Sequence, residues 1–344
     1  MVVKKYVCWG LLAVGLFFVS CNRKKTTLPP TNKWEVKEIQ KHLQIRIKRY
    51  EQALNSISRD SLEIGLKRLQ TDYACFVGNN LADLAEAQKV TASYLNDKIV
   101  NQLYDEVQKK FSNLTELEKQ FEEAFSLLLY YFPDAEIPQV YTGITCLDYN
   151  KPIMYDYDSV LFISLDLFLG KDYKLYKQLG TEIPQFIKRR FSQEYILPSC
   201  FDEISYKYIN SKSLQSNLLD AMILEGKRLL FLELMLPNFP DSLRFPFPQE
   251  KIEWAKSNEA NIWGYLIQNN YLYSRDKMVI RKLVGDAPFT SYFGNQSPGQ
   301  VGAWMGWRIC RSWVEKNPQR TITAIFNETD AQKILTESKY KPQK

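Results

Sequence analysis

The side chains of this sequence best equipped for chemistry gather in three short stretches. Glu225-Gly226-Lys227-Arg228 lies inside the most apolar run, residues 214–236; Glu259 follows in Asn258-Glu-Ala-Asn-Ile-Trp263; and Trp304-Met-Gly-Trp307-Arg308 comes later. Carboxylates held close together are what a hard-cation site or an acid–base pair requires. Glu225, Glu259 and Asp220 would be the members of such a set, and a metal-dependent hydrolase using Mg²⁺ or Ca²⁺ is the alternative reading. The neighbours argue otherwise. Lys227 and Arg228 beside Glu225 make ion pairs, and a charge inside a helical core must be paired. Glu225, Lys227, Arg228 and Glu259 are therefore expected to form a polar network around a cleft with no catalytic residue, no metal and no cofactor. Tryptophan and arginine dominate binding hot spots, so Trp304, Trp307 and Arg308 are a candidate interaction surface for a glycan or peptide. Core packing is the commoner fate of tryptophan at helical spacing.

What is missing narrows the chemistry further. The 344 residues include a single histidine, His42, on the polar side of its helix, so no multi-histidine metal site can form. Glycine-rich phosphate loops, the G-x-S-x-G elbow and H-E-x-x-H do not occur. The net charge of +6 is small beside 45 Lys+Arg and 39 Asp+Glu, whose signs alternate along most of the chain, so no nucleic-acid partner is expected. Cys75, Cys146, Cys200 and Cys310 are dispersed, without C-x-x-C spacing. Buried free thiols are the expected state, with one disulfide as the alternative.

The elements that must position these residues are mostly helical. From Trp34 to about Phe132 apolar residues recur every three or four positions: Ile39, Leu43, Ile47, Tyr50 and Leu54 in one helix, then a face of Leu117, Phe121, Phe125 and Leu128. Gly78-Asn79-Asn80 breaks a helix between them. Residues 139–147 alternate and 159–167 are rich in β-formers, so two strands are expected there. In the loop joining them Asp148, Asp156 and Asp158 read as turn and cap residues, with a calcium site as the rarer possibility. Residues 214–236 form a central buried helix, 252–265 another and 300–316 a third, the last announced by a Ser297 cap and Pro298 in the first turn. Gly302 and Gly306 on that helix would let a neighbour approach closely. The fold class expected is mainly α (α+β): a helical domain with a small β-sheet.

Residues 1–20 read as a lipoprotein signal peptide. Lys4 and Lys5 precede an uncharged apolar run from Val7 to Ser20, shorter than a bilayer span. Phe18-Val19-Ser20-Cys21 resembles the lipobox of bacterial lipoproteins, with Phe in place of the usual Leu. Cys21 is then the lipidation site, acylated on its thiol and new amino terminus, and it ties the chain to membrane lipid. Residues 21–33 form a lipidated tether. Residues 34–344 form a single domain, with 34–132 a helical lead-in and 133–344 the main part. The tether is basic just after the cysteine (Arg23, Lys24, Lys25), whereas surface-exported lipoproteins of the Bacteroidota typically carry acidic residues there, so the periplasmic face of the outer membrane is expected.

Two family resemblances follow from these residues. The order of parts (sheet edge, buried helix, second helix, Gly-Trp-rich helix) resembles zincin-type metallopeptidases, which would make 225–229 a degenerate active-site helix. More specifically, the chain resembles the gliding-motility lipoprotein GldB of the Bacteroidota. The likeness is carried by Tyr131-Phe-Pro133, Ser164-Leu-Asp-Leu-Phe-Leu-Gly170, Met222 to Lys227, Trp254 to Trp263, Asp286 to Thr290, Ser297 to Gly302 with Trp304 to Trp307, and Ser338 to Pro342. That resemblance implies a non-enzymatic outer-membrane lipoprotein acting as a tethered scaffold. Its partners would be envelope proteins of the gliding motility and type IX secretion apparatus.

Overall fold

The structure, a computed structural model, describes residues 33–78, 81–178, 183–214, 216–245 and 247–342. Cys21 and the signal lie outside the described residues. The chain is mainly α-helical with one small mixed sheet, as its periodicity implies.

The first helix is shorter than the apolar spacing suggests. α1 (Lys33–His42) ends before Leu43; Lys48–Arg49 then pair as strand β1, and α2 (Tyr50–Asn55) begins afresh. Tertiary pairing overrides local periodicity here, because β1 lies parallel to β2 (Gln139–Gly143) at the sheet edge. α3 (Leu62–Val77) and α4 (Leu81–Asn96) follow. Gly78, at φ 75°, ends α3 in a backbone region that glycine enters without strain. α5 (Lys98–Lys110) is capped by Asp97, whose carboxylate accepts from Ile99 N and Val100 N. α6 (Thr115–Tyr131) buries Leu117, Phe121, Phe125 and Leu128 on one stripe.

The sheet runs β1-β2-β4-β3, with β4 (Val160–Ser164) parallel to β2 and β3 (Ile153–Tyr155) antiparallel to β4. Asp156 closes the turn after β3: its Oδ1 accepts from the amides of Asp158, Ser159 and Val160. The buried Asp166, in the turn after β4, accepts from Thr145 N (3.0 Å) and Leu147 N (2.7 Å). These bonds hold Cys146 and Leu147 in the left-handed region, at φ 58° and 65°, and burial pushes the Asp166 carboxyl up to about 6.

Helices then take over: α7 (Lys174–Gln178), α8 (Gln185–Lys188), α9 (Ile196–Tyr208) and α10 (Leu218–Met235). α10 opens with a reciprocal capping box, Asn217 to the amide of Asp220 and Asp220 to the amide of Asn217. α11 (Asp241–Arg244) and α12 (Gln249–Ser257) precede α13 (Glu259–Gln268); the single helix expected over 252–265 is broken at Asn258, where the backbone leaves helical geometry. α14 (Lys277–Val284), α15 (Val301–Lys316), α16 (Ile322–Asn327) and α17 (Ala331–Ser338) complete the fold.

α15 does not start as its sequence suggests. Ser297 is not the cap: its hydroxyl lies in the preceding loop with Thr290 and Gly294, and Gln300 enters the helix at φ 56°. α10 and α15 cross at glycines. A Cβ on Gly306 would sit 1.7 Å from Met222 O, and one on Gly226 would sit 2.2 Å from Gly306 C. The two backbones therefore touch, and this crossing is the centre of the main core. The helices from α5 onward and the sheet share that core, while Leu54, Ile57, Leu66, Val77, Leu84 and Leu95 make a separate small one around α2–α4. The four described cysteines are free. Cys200 and Cys310 are buried, but Cys75 and Cys146 are exposed, contrary to what their apolar neighbours suggest.

Candidate functional site

A cleft of about 510 Å³ opens between α9, α10 and the N-terminal end of β3, with the 241–245 and 286–303 segments closing its far side. The apolar part of its lining comes from Ile153, Phe168, Phe191, Leu229, Leu232 and Phe245, and polar groups supply nearly as much of the wall. Its polar groups centre on Arg228, one helical turn from Glu225 on α10. The guanidinium donates to Asp202 Oδ2 at 2.6 Å and to Glu225 Oε2 at 2.8 Å, and its Cζ lies 4.6 Å from the centroid of the Tyr206 ring. Burial alone would lower the Arg228 guanidinium, but Asp202 and Glu225 more than offset this and hold it above its ordinary range. Burial raises the Glu225 carboxyl despite Arg228. Glu203, the next residue along α9, also lines the cleft; burial and then Asp202 raise its carboxyl, and among the described residues it makes no side-chain hydrogen bond. At the rim Arg190 grips Asp286 with 2.9 and 3.2 Å contacts, and Gln300 donates to the same carboxylate.

The four residues expected to share this cleft are divided among three places. Glu225 and Arg228 face it. Lys227 points to the opposite side of α10, because the intervening 100° per residue turns it away. It is fully buried, with its ammonium donating to Phe326 O (3.2 Å) and Glu328 O, the carbonyls that end α16. Burial lowers its pKa to about 8. Glu259 is buried at the start of α13, where it accepts from Arg308 Nε at 3.2 Å and Tyr340 Oη at 2.5 Å. Asp220 is engaged in the α10 cap. Glu225, Glu259 and Asp220 are thus not assembled into one site, and among the described residues no group of three His, Cys, Asp or Glu is placed to hold a metal ion.

The aromatic candidates also land elsewhere. Trp304 and Trp307 are 1% and 4% exposed, so they present no recognition surface. Their rings pack 5.0 Å apart and edge-on to Phe245, and Trp307 Nε1 donates to Glu233 at 2.9 Å. Arg308 is spent on Glu259. Sequence reasoning passed over Asp202, Glu203, Arg190 and Asp286. A visible signal did exist for the first two: adjacent carboxylates in an otherwise apolar helix between Phe201 and Ile204.

What the geometry defines is a class: a predominantly helical protein with a cleft of mixed apolar and polar lining, built around the Arg228 ion pairs to Asp202 and Glu225. The family model described as gliding motility protein GldB matches residues 31–342, nearly the whole chain, and the chain belongs to that family. No curated protein and no solved structure matches it. Among the described residues no helix is long and apolar enough to cross a membrane.

Proposed function

We propose that this chain is a non-enzymatic lipoprotein of the outer membrane, held by acylated Cys21 on the periplasmic side, that serves the gliding and secretion apparatus as a tethered scaffold. The observation that carries this reading is the family match over residues 31–342. The lipobox-like Phe18-Val19-Ser20-Cys21 supplies the anchor. The cleft supports binding in preference to catalysis. Its cations are held in ion pairs: Arg228 with Asp202 and Glu225, Arg190 with Asp286, and Arg244 with Asp241. A concave site that combines apolar surface with a few placed charges is suited to binding, and we assign this cleft to an envelope partner.

The test is cross-linking and co-purification of the partner complex from cells carrying wild type or Cys21→Ser. The scaffold reading expects the variant to leave the membrane fraction and the cross-linked species to fall away. A variant that stays fully membrane-bound with an unchanged complex would show that tethering through Cys21 is wrong.

A further inference from the structure

The distribution of charge singles out α1. Of the formal net charge of +6, two units are Lys4 and Lys5 in the signal. Residues 21–42 hold six cations (Arg23, Lys24, Lys25, Lys33, Lys37, Lys41) against Glu35 and Glu38 alone, so residues 43–344 balance to zero. The whole excess of the mature chain therefore sits within a short distance of Cys21.

The part of this stretch that the structure describes has a matching shape. α1 has no buried residue. It packs against α6, with Val36, Ile39 and Gln40 half-buried, and turns Lys33, Trp34, Lys37 and the Glu38–Lys41 ion pair outward. Lys33, Lys37 and Lys41 share one stripe by their four-residue spacing. Trp34 is 82% exposed, the most exposed large apolar side chain described, and Lys37 Nζ lies 5.9 Å from its ring. An indole beside ammonium groups is the pairing found where one end of a side chain is apolar and the other wet, at a bilayer interface. Trp34 lies thirteen chain steps after Cys21, and an extended chain of that length reaches at most about 45 Å.

We propose that the outer face of α1 is a second membrane contact: Trp34 enters the interfacial region while Lys33 and Lys37 meet anionic lipid headgroups, fixing which side of the domain faces the bilayer. The proposal rests on the Cys21 reading for its geometry, but it is tested apart from it.

The probe is the chain from residue 21 onward carrying Cys21→Ser, mixed with vesicles of phosphatidylethanolamine with or without phosphatidylglycerol, some bearing brominated acyl chains. Binding is expected only with phosphatidylglycerol, weakening as salt rises. Bromine quenching of tryptophan emission is expected to vanish in W34F, and partitioning to fall about fivefold for each of K33A and K37A. Circular dichroism should be unchanged, since these side chains are exposed. No binding at all, or binding indifferent to W34F, K33A and K37A, would overturn the proposal. Either result leaves the Cys21 reading standing, because that reading is judged on the wild-type chain by whether the cysteine carries acyl groups.

Discussion

Arg228 and Lys227 are neighbours in sequence with opposite environments, and each gives a distinct expectation. Arg228 joins carboxylates on two helices, Asp202 on α9 and Glu225 on α10. Removing the cation leaves Glu225 partly buried and unpaired, so Arg228→Ala should cost about 2 kcal/mol in urea unfolding, moderated because Asp202 is partly solvated. Lys227 titrates near 8 when folded against about 10.5 when free. Between those values the unfolded chain binds more protons, so Lys227 makes stability rise with pH, by up to about 3 kcal/mol across the window. The Lys227→Met variant should lack that rise between about pH 8 and 10.5, where the wild type shows it. These roles were only half legible in the sequence. Residue type said that charges in an apolar helix must be paired; it could not say with whom. The partners of Glu259 lie 49 and 81 residues away at Arg308 and Tyr340, and no local pattern encodes that. Burial of Trp304 and Trp307 was equally undecided, because an apolar stripe wide enough for a core is also wide enough for a contact.

Elements with strong periodicity were readable, and their contacts explain the glycines. α6 and α10 fall where their apolar spacing puts them, with α10 starting at its capping box some four residues inside the expected span. β1 was not readable: a two-residue strand exists only because β2 offers it an edge. The α10–α15 crossing is the fold's most demanding contact. Gly306→Ala would place a methyl group against Met222 O on a rigid backbone, and overpacking of that kind should cost 3 kcal/mol or more, on the order of the largest core defects, or prevent folding. Gly264, in α13, has no atom within 4 Å of a built Cβ. Gly264→Ala should stabilise by about 0.5–1 kcal/mol through helix propensity. Thermal melts of the two variants separate close packing from a general dislike of substitution.

On the scale of the whole molecule, the balance of charges and the order of motifs carried more than any single site. Short pieces such as Ser164–Gly170 and Met222–Lys227 are individually common, yet their succession identified the GldB family, whose model covers residues 31–342. The structure explains why these pieces matter. Asp166 in the first pins the loop after β2, and Gly226 in the second lets α15 touch α10. The family and the basic segment behind Cys21 are what the proposed tether rests on. The central claim is the tether, and the most direct measurement is mass spectrometry of the N-terminal peptide of the chain purified from its native membrane. The account predicts a peptide beginning at Cys21 and heavier by the mass of acyl chains on its thioether-linked glycerol and amino terminus. A peptide beginning at Met1, or Cys21 present without acylation, would contradict it.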